Sequence, residues 1–103
     1  MATSVVLQSE ADSGTVLVSG HIDFDSVLSY RQLGEKMILS TTQPELQFDL
    51  SKAEIGGSIG VSLLLSWLRC ANNLDKKITF QQVPENLCEM IKVSGVQEIL
   101  AFD

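Results

Sequence analysis

The residues best placed to do chemistry are Gly56-Gly57-Ser58-Ile59-Gly60. They match G-x-S-x-G, in which a strained strand-to-helix turn raises a nucleophilic serine to the top of a sheet. Three features oppose that reading. Seven residues separate Leu50, the last strand residue expected before the loop, from Ser58, whereas a nucleophile elbow turns directly off its strand. The single histidine, His21, precedes the serine, the reverse of the hydrolase order. A chain of 103 residues is also too short for that fold. No enzyme is therefore expected. Glycines ahead of a helix can instead hold a phosphate on backbone N–H groups, but neither G-K-[ST] nor G-x-G-x-x-G occurs. Ser58 then reads as a helix N-cap, its hydroxyl accepting the N–H of Gly60 or Val61. The glycines would allow backbone conformations closed to other residues. A serine there is also exposed, and the helix end would stabilise an added phosphate.

The remaining reactive residues form no constellation. His21 falls on a turn after the second expected strand, and Asp23 and Asp25 most simply cap the helix that follows. Cys70 and Cys88 lack C-x-x-C spacing, and with one histidine they cannot complete a zinc cage. They are expected to be reduced thiols. No cofactor and no metal are expected.

The elements that must carry these residues belong to one small domain, 1–103. Its 45% apolar content lets it fold without staples, burying roughly 60–70% of its unfolded surface. Seven basic against 13 acidic residues give a net charge of −6, which argues against a nucleic-acid groove and an electrostatic membrane anchor. The densest apolar run, Val61 to Leu68, is interrupted by Ser62 and Ser66 and is too short to span a bilayer. Met1-Ala2-Thr3-Ser4 begins no secretory leader, so a cytoplasmic location is expected.

Periodicity predicts strands at Ser4–Gln8 and Thr15–Ser19, joined by a turn at Ala11–Gly14. A helix follows over Ser26–Leu39, with Val27, Tyr30, Leu33 and Met37 on one face and Gly34 allowing close approach to a sheet. Strand three is Glu45–Leu50, and Ser51–Gly57 is a loop. Helix two is Ser58–Asn73 and strand four Lys77–Gln82. Helix three has Pro84 in its first turn and Gly95 beyond its end. A short last helix is expected over Val96–Phe102. The order β-β-α-β-α-β-α-α implies a mixed four-stranded sheet covered by about four helices. On helix two, Ser58, Ser62, Ser66, Arg69 and Asn73 form a narrow polar stripe. The apolar arc fills more than half the circumference, so the helix is central, or one shoulder including Trp67 docks a partner.

The run Asp49 to Val61 resembles the STAS-domain signature: a strand ending D-L-S, a short loop, then D-[ST]-x-G-[LV] opening a helix. Gly20-His21-Ile22-Asp23-Phe24 is similar to the family's G-x-[LI]-D strand exit. The element order is that of a STAS domain, and the resemblance covers nearly the whole chain. Leu63 to Ala71, Ile78-Thr79-Phe80 with Pro84 and Leu87, and Val93-Ser94-Gly95-Val96 resemble the MlaB-type branch. Members of that branch are small cytoplasmic subunits of phospholipid ABC transporters that maintain outer-membrane lipid asymmetry. The resemblance implies a non-enzymatic partner of the ATPase subunit, held at the inner membrane through it and not inserted. It maps Ser58 to the family's hydroxyl position, with Gly56, Gly57, Ile59, Gly60, Ser62 and Trp67 as neighbouring contact candidates. The other branch, the anti-sigma factor antagonists, implies a kinase partner that phosphorylates the Ser58 position. The chain departs from the signature at Gly57, where that family usually has Asp.

Overall fold

The computed structural model describes residues 6–10, 14–55 and 57–100. The elements are β1 (Val6–Glu10), β2 (Thr15–His21), α1 (Val27–Ser40), β3 (Glu45–Glu54), α2 (Gly57–Asn73), β4 (Lys77–Gln81) and α3 (Glu85–Val93). The sheet order is β1-β2-β3-β4. β1 lies antiparallel to β2, and β2, β3 and β4 are mutually parallel. The beginning of the first expected strand, Ser4 and Val5, and most of its turn lie outside the described residues.

Alternation decides which face of the sheet is covered. Val16 and Val18, Leu46, Phe48 and Leu50, and Ile78 and Phe80 are buried, while Leu17, Gln47, Asp49 and Thr79 between them are half-exposed. The helices pack on the buried face, with α2 in the middle. It contributes Gly60, Val61, Leu63, Leu64, Trp67 and Ala71 to the interior. Its wide apolar arc is thereby shared among sheet, α1 and α3. Trp67 is 0% exposed, its ring centroid 4.8 Å from Phe48 and 6.4 Å from Phe80. Its Nε1 donates to the Arg31 carbonyl at 3.2 Å. Gly34 makes room for this ring, since a Cβ there would lie 2.1 Å from Nε1. The close approach expected of Gly34 is thus to α2, not to the sheet.

Three expectations need correction. β3 does not stop at Leu50 but runs through Ser51–Glu54, pairing Ser19, Gly20 and His21 with Lys52, Ala53 and Glu54. A bulge hides this from the sequence: Leu17 pairs with Asp49 and Ser19 with Lys52, so β3 carries one extra residue. Asp49 Oδ1 accepts the Ser51 N–H at 2.8 Å, giving the displaced amide a partner. Past the bulge, Ala53 and Ile55 turn inward and Glu54 outward. Of the expected fourth helix, Val96–Phe102, the last two residues lie outside the described residues, which hold three helices. Residues 97–100 form one turn, with Ile99 and Leu100 N–H both donating to the Val96 carbonyl. Burial of Leu100 holds this turn against the core. Pro84 precedes α3 as its N-cap residue rather than standing in the first turn.

The helix ends are closed by specific bonds. Gly95, at φ 75°, ends α3 with Gly95 N–H to the Lys92 carbonyl and Val96 N–H to the Ile91 carbonyl. Asp75, at φ 56°, does the same for α2, with Asp75 N–H to Asn72 and Lys76 N–H to Ala71. Lys76 then points its ammonium at the Ile38 and Thr41 carbonyls, at the C-terminal end of α1.

Candidate functional site

The carboxyl ends of β2 and β3 bring His21 and Glu54 side by side. His21 and Glu54 are register partners, and Ile22 N–H extends the ladder to the Glu54 carbonyl at 2.9 Å. The imidazole lies 3.6 Å from the Asp23 carboxylate and 3.7 Å from that of Glu54. All three side chains are substantially exposed, so these pairs contribute little to stability. A shallow cleft of about 430 Å³ opens beside them, bounded also by Ile55, Pro84 and Asn86.

The N-cap of α1 is Ser26 rather than Asp23 or Asp25, and Asp23 holds the turn that leads into it. Its Oδ1 accepts the N–H groups of Asp25 and Ser26, both at 3.0 Å, and Ser26 Oγ accepts the Asp23 N–H at 3.0 Å. The Ser26 N–H above all, with the Ser26 hydroxyl and the Asp25 N–H, holds the Asp23 carboxyl below the usual aspartate range against a smaller effect of burial. Asp25, the other expected cap, takes no such part.

Ser58 is not the N-cap expected of it. Helix α2 already includes Gly57, whose φ of 63° is the left-handed turn from which the helix departs. Ser58 follows inside the first turn, exposed, and no described residue is hydrogen-bonded to its hydroxyl. Ser62 is exposed one turn on, and its carbonyl accepts the Ser66 hydroxyl at 3.0 Å. Ile59 is half-buried. Gly60 is buried, where a Cβ would meet Leu87 Cδ1 at 2.6 Å and Ile55 Cγ1 at 3.1 Å. Gly56 lies outside the described residues. Trp67, expected on a docking shoulder, is wholly interior and presents nothing to a partner. Among the described residues no group of three metal-ligating side chains converges.

The structure adds two residues that helical periodicity alone did not select. Phe24 and Leu28 are 82% and 53% exposed, four residues apart at the start of α1. Val27, Leu28, Ser62 and Leu63 line one small hollow, which sets Leu28 beside the first turns of α2. The signal was present in the sequence: positions 24 and 28 fall off the 27-30-34 stripe that faces the core. At this hollow the exposed apolar side chain comes from α1 and the exposed hydroxyl from α2.

This arrangement defines an α/β STAS fold. The chain belongs to the MlaB-type STAS family: residues 5–101 match the family described as "Mlab, STAS domain". Among solved structures, it is similar to a chain of the Acinetobacter MlaFEDB complex in an ATP-bound conformation. That match has 29% identity, covers 96% of this chain and 100% of that one, and has a TM-score of 0.80. It also shares the fold of an anti-sigma factor antagonist from Mycobacterium paratuberculosis, at 20% identity, 96% and 83% coverage and a TM-score of 0.75. The Bacillus protein SpoIIAA in its phosphorylated form gives 16% identity, 97% and 91% coverage and a TM-score of 0.68. No curated protein matches. Among the described residues no helix is long and apolar enough to cross a membrane.

Proposed function

We propose that this chain is a non-catalytic subunit that docks on the ATPase of an MlaB-type phospholipid ABC transporter. Through that partner it sits on the cytoplasmic side of the inner membrane and serves outer-membrane lipid asymmetry. The observation that carries this reading is exposed Leu28 beside exposed Ser62 in one hollow, with exposed Phe24 four residues before Leu28 and exposed Ser58 one turn before Ser62. An exposed apolar side chain next to an exposed hydroxyl has the anatomy of an interface, with an apolar anchor and a polar rim. The family membership and the similarity to a chain of an ATP-bound MlaFEDB complex support an ATPase as the partner. Docking acts by differential affinity: binding one arrangement of the ATPase better than another shifts it toward that arrangement. Ser58→Arg places a long charged side chain in the contact while leaving the core untouched. It is expected to weaken binding to the ATPase at least about tenfold with the melting temperature unchanged, and Phe24→Ala to weaken it by a similar factor. Unchanged affinity in both variants, measured by interferometry on the purified subunits, refutes the assignment.

A second reading rests on Ser58 alone. An exposed hydroxyl in the first turn of α2 would carry a phosphate next to unpaired helix N–H groups. The chain would then be an anti-sigma factor antagonist switched by a kinase, the added charge of about −1.5 to −2 breaking the contact. Incubation with the cognate kinase and ATP must raise the mass by one phosphate at Ser58, and an unchanged mass removes this reading.

A further inference from the structure

We infer that the groove between α1 and α2, which continues from the Leu28–Ser62 hollow, is a docking surface built for an acidic partner segment flanked by apolar residues. The two helices run side by side: Leu28, Arg31, Ser62 and Ser66 border one hollow, and Arg31, Leu39, Ser66 and Asn73 the next. Two adjoining hollows of about 120 and 380 Å³ share Arg31 and Ser66 and make one continuous channel. Its walls carry two guanidinium groups, Arg31 and Arg69, in a chain whose net charge is −6. Glu35 faces the same channel and lies 3.8 Å from Arg31. Arg69 is exposed and has no carboxylate partner among the described residues. The channel therefore has a local charge of +1, counting Arg31, Arg69 and Glu35, opposite in sign to the whole chain.

Apolar residues stand at both ends. Leu28 is 53% and Leu39 61% exposed, eleven positions apart on α1, which spans roughly 16 Å. A complementary segment has an apolar side chain at each end of that span and carboxylates between, where Arg69 can offer paired N–H donors. Basic or purely apolar segments fit the channel poorly, because they leave Arg69 facing a like charge or lose its solvation. The channel is lined by the exposed edges of α1 and α2, and its occupation does not require the Ser58 hydroxyl.

The test uses the purified, isotope-labelled chain and a set of synthetic peptides. Each has two leucines spaced to span about 16 Å as a helix or a strand, with glutamates between them. Matched peptides carry lysine in place of glutamate. Amide shifts are expected at Arg31, Ser66, Arg69 and Cys70 with the glutamate peptides, with little change at Ser58. Arg69→Glu should weaken that binding about tenfold, and rising salt should weaken it further. The lysine peptides should not bind. Lack of binding by every glutamate peptide up to about 1 mM overturns the inference. So does binding that Arg69→Glu leaves unchanged, or shifts confined to the Ser58 surface.

Discussion

Replacing Gly34 by alanine tests the packing that fixes α1 against α2. A Cβ at that position would lie 2.1, 2.3 and 2.7 Å from Nε1, Cε2 and Cζ2 of Trp67. The ring cannot swing aside freely, because it is fully buried against Phe48 and Phe80 and its N–H is committed to the Arg31 carbonyl. Alanine gains about 1 kcal/mol of helix propensity over glycine. Against that stand about 1–3 kcal/mol for overpacking and about 1–3 kcal/mol for a buried indole N–H that loses its acceptor. The net loss is about 1–5 kcal/mol, centred on about 3, or a fall in melting temperature of roughly 12–24 °C at that centre for a domain of this size. Urea titration followed by fluorescence reads both consequences, since Trp67 is the only tryptophan. Gly60→Ala is the internal comparison. Its Cβ would strike the end of the Leu87 side chain at 2.6 Å, which can rotate away, so its cost should be smaller. A Gly34→Ala variant as stable as the parent, or a Gly60→Ala variant that loses more, would show that the helix pair is not seated on the Trp67 ring.

Two further predictions concern helix ends. Lys76→Met keeps most of the stem but removes the ammonium from the Ile38 and Thr41 carbonyls, and should cost about 1 kcal/mol in chemical denaturation. Hydrogen exchange should quicken first in the last turn of α1, and unaltered protection there contradicts the assignment. Asp23 contributes to stability through its ionised form, because its folded carboxyl titrates below the usual range. That contribution is complete above the ordinary aspartate value of about 4 and disappears as pH falls through the lower, folded value. Asp23→Asn should therefore be less stable than the parent near neutrality, with the gap closing on acidification. A gap that stays constant down to about pH 2 would mean that ionisation of Asp23 does not support α1.

Much of the fold could be read from alternation and from chain punctuation. Val16 and Val18, Leu46 to Leu50, and Ile78 with Phe80 alternate cleanly because only one face of the sheet is covered. Gly95 announced the end of α3 because a left-handed residue is needed there, whereas Asp75 performs the same task for α2 without so plain a signal. The site was less legible. Trp67 could have been a surface anchor or a core residue, and only the packing of α1 through Gly34 decides between them. Phe24 and Leu28 lie off the stripe that periodicity selects, and their role depends on which helix lies alongside. Ser51 to Glu54 resemble a loop because they are polar and because one extra residue breaks the alternation.

That extra residue makes the stretch from Asp49 to Ser58 a mechanical count rather than an adjustable linker. The core end and the site end of β3 are out of phase, and the bulge is the phase change. A regular strand through these same residues, with no bulge, would turn everything past Ser51 by half a turn. Lys52 and Glu54 would then face the core, Ala53 and Ile55 solvent, and α2 would leave the sheet from the wrong side. The bulge absorbs that mismatch within one residue, and the Asp49 carboxylate that takes the Ser51 N–H holds it there. Where Ser58 emerges is thus set nine residues upstream, by a strand irregularity that touches none of the surface it orients.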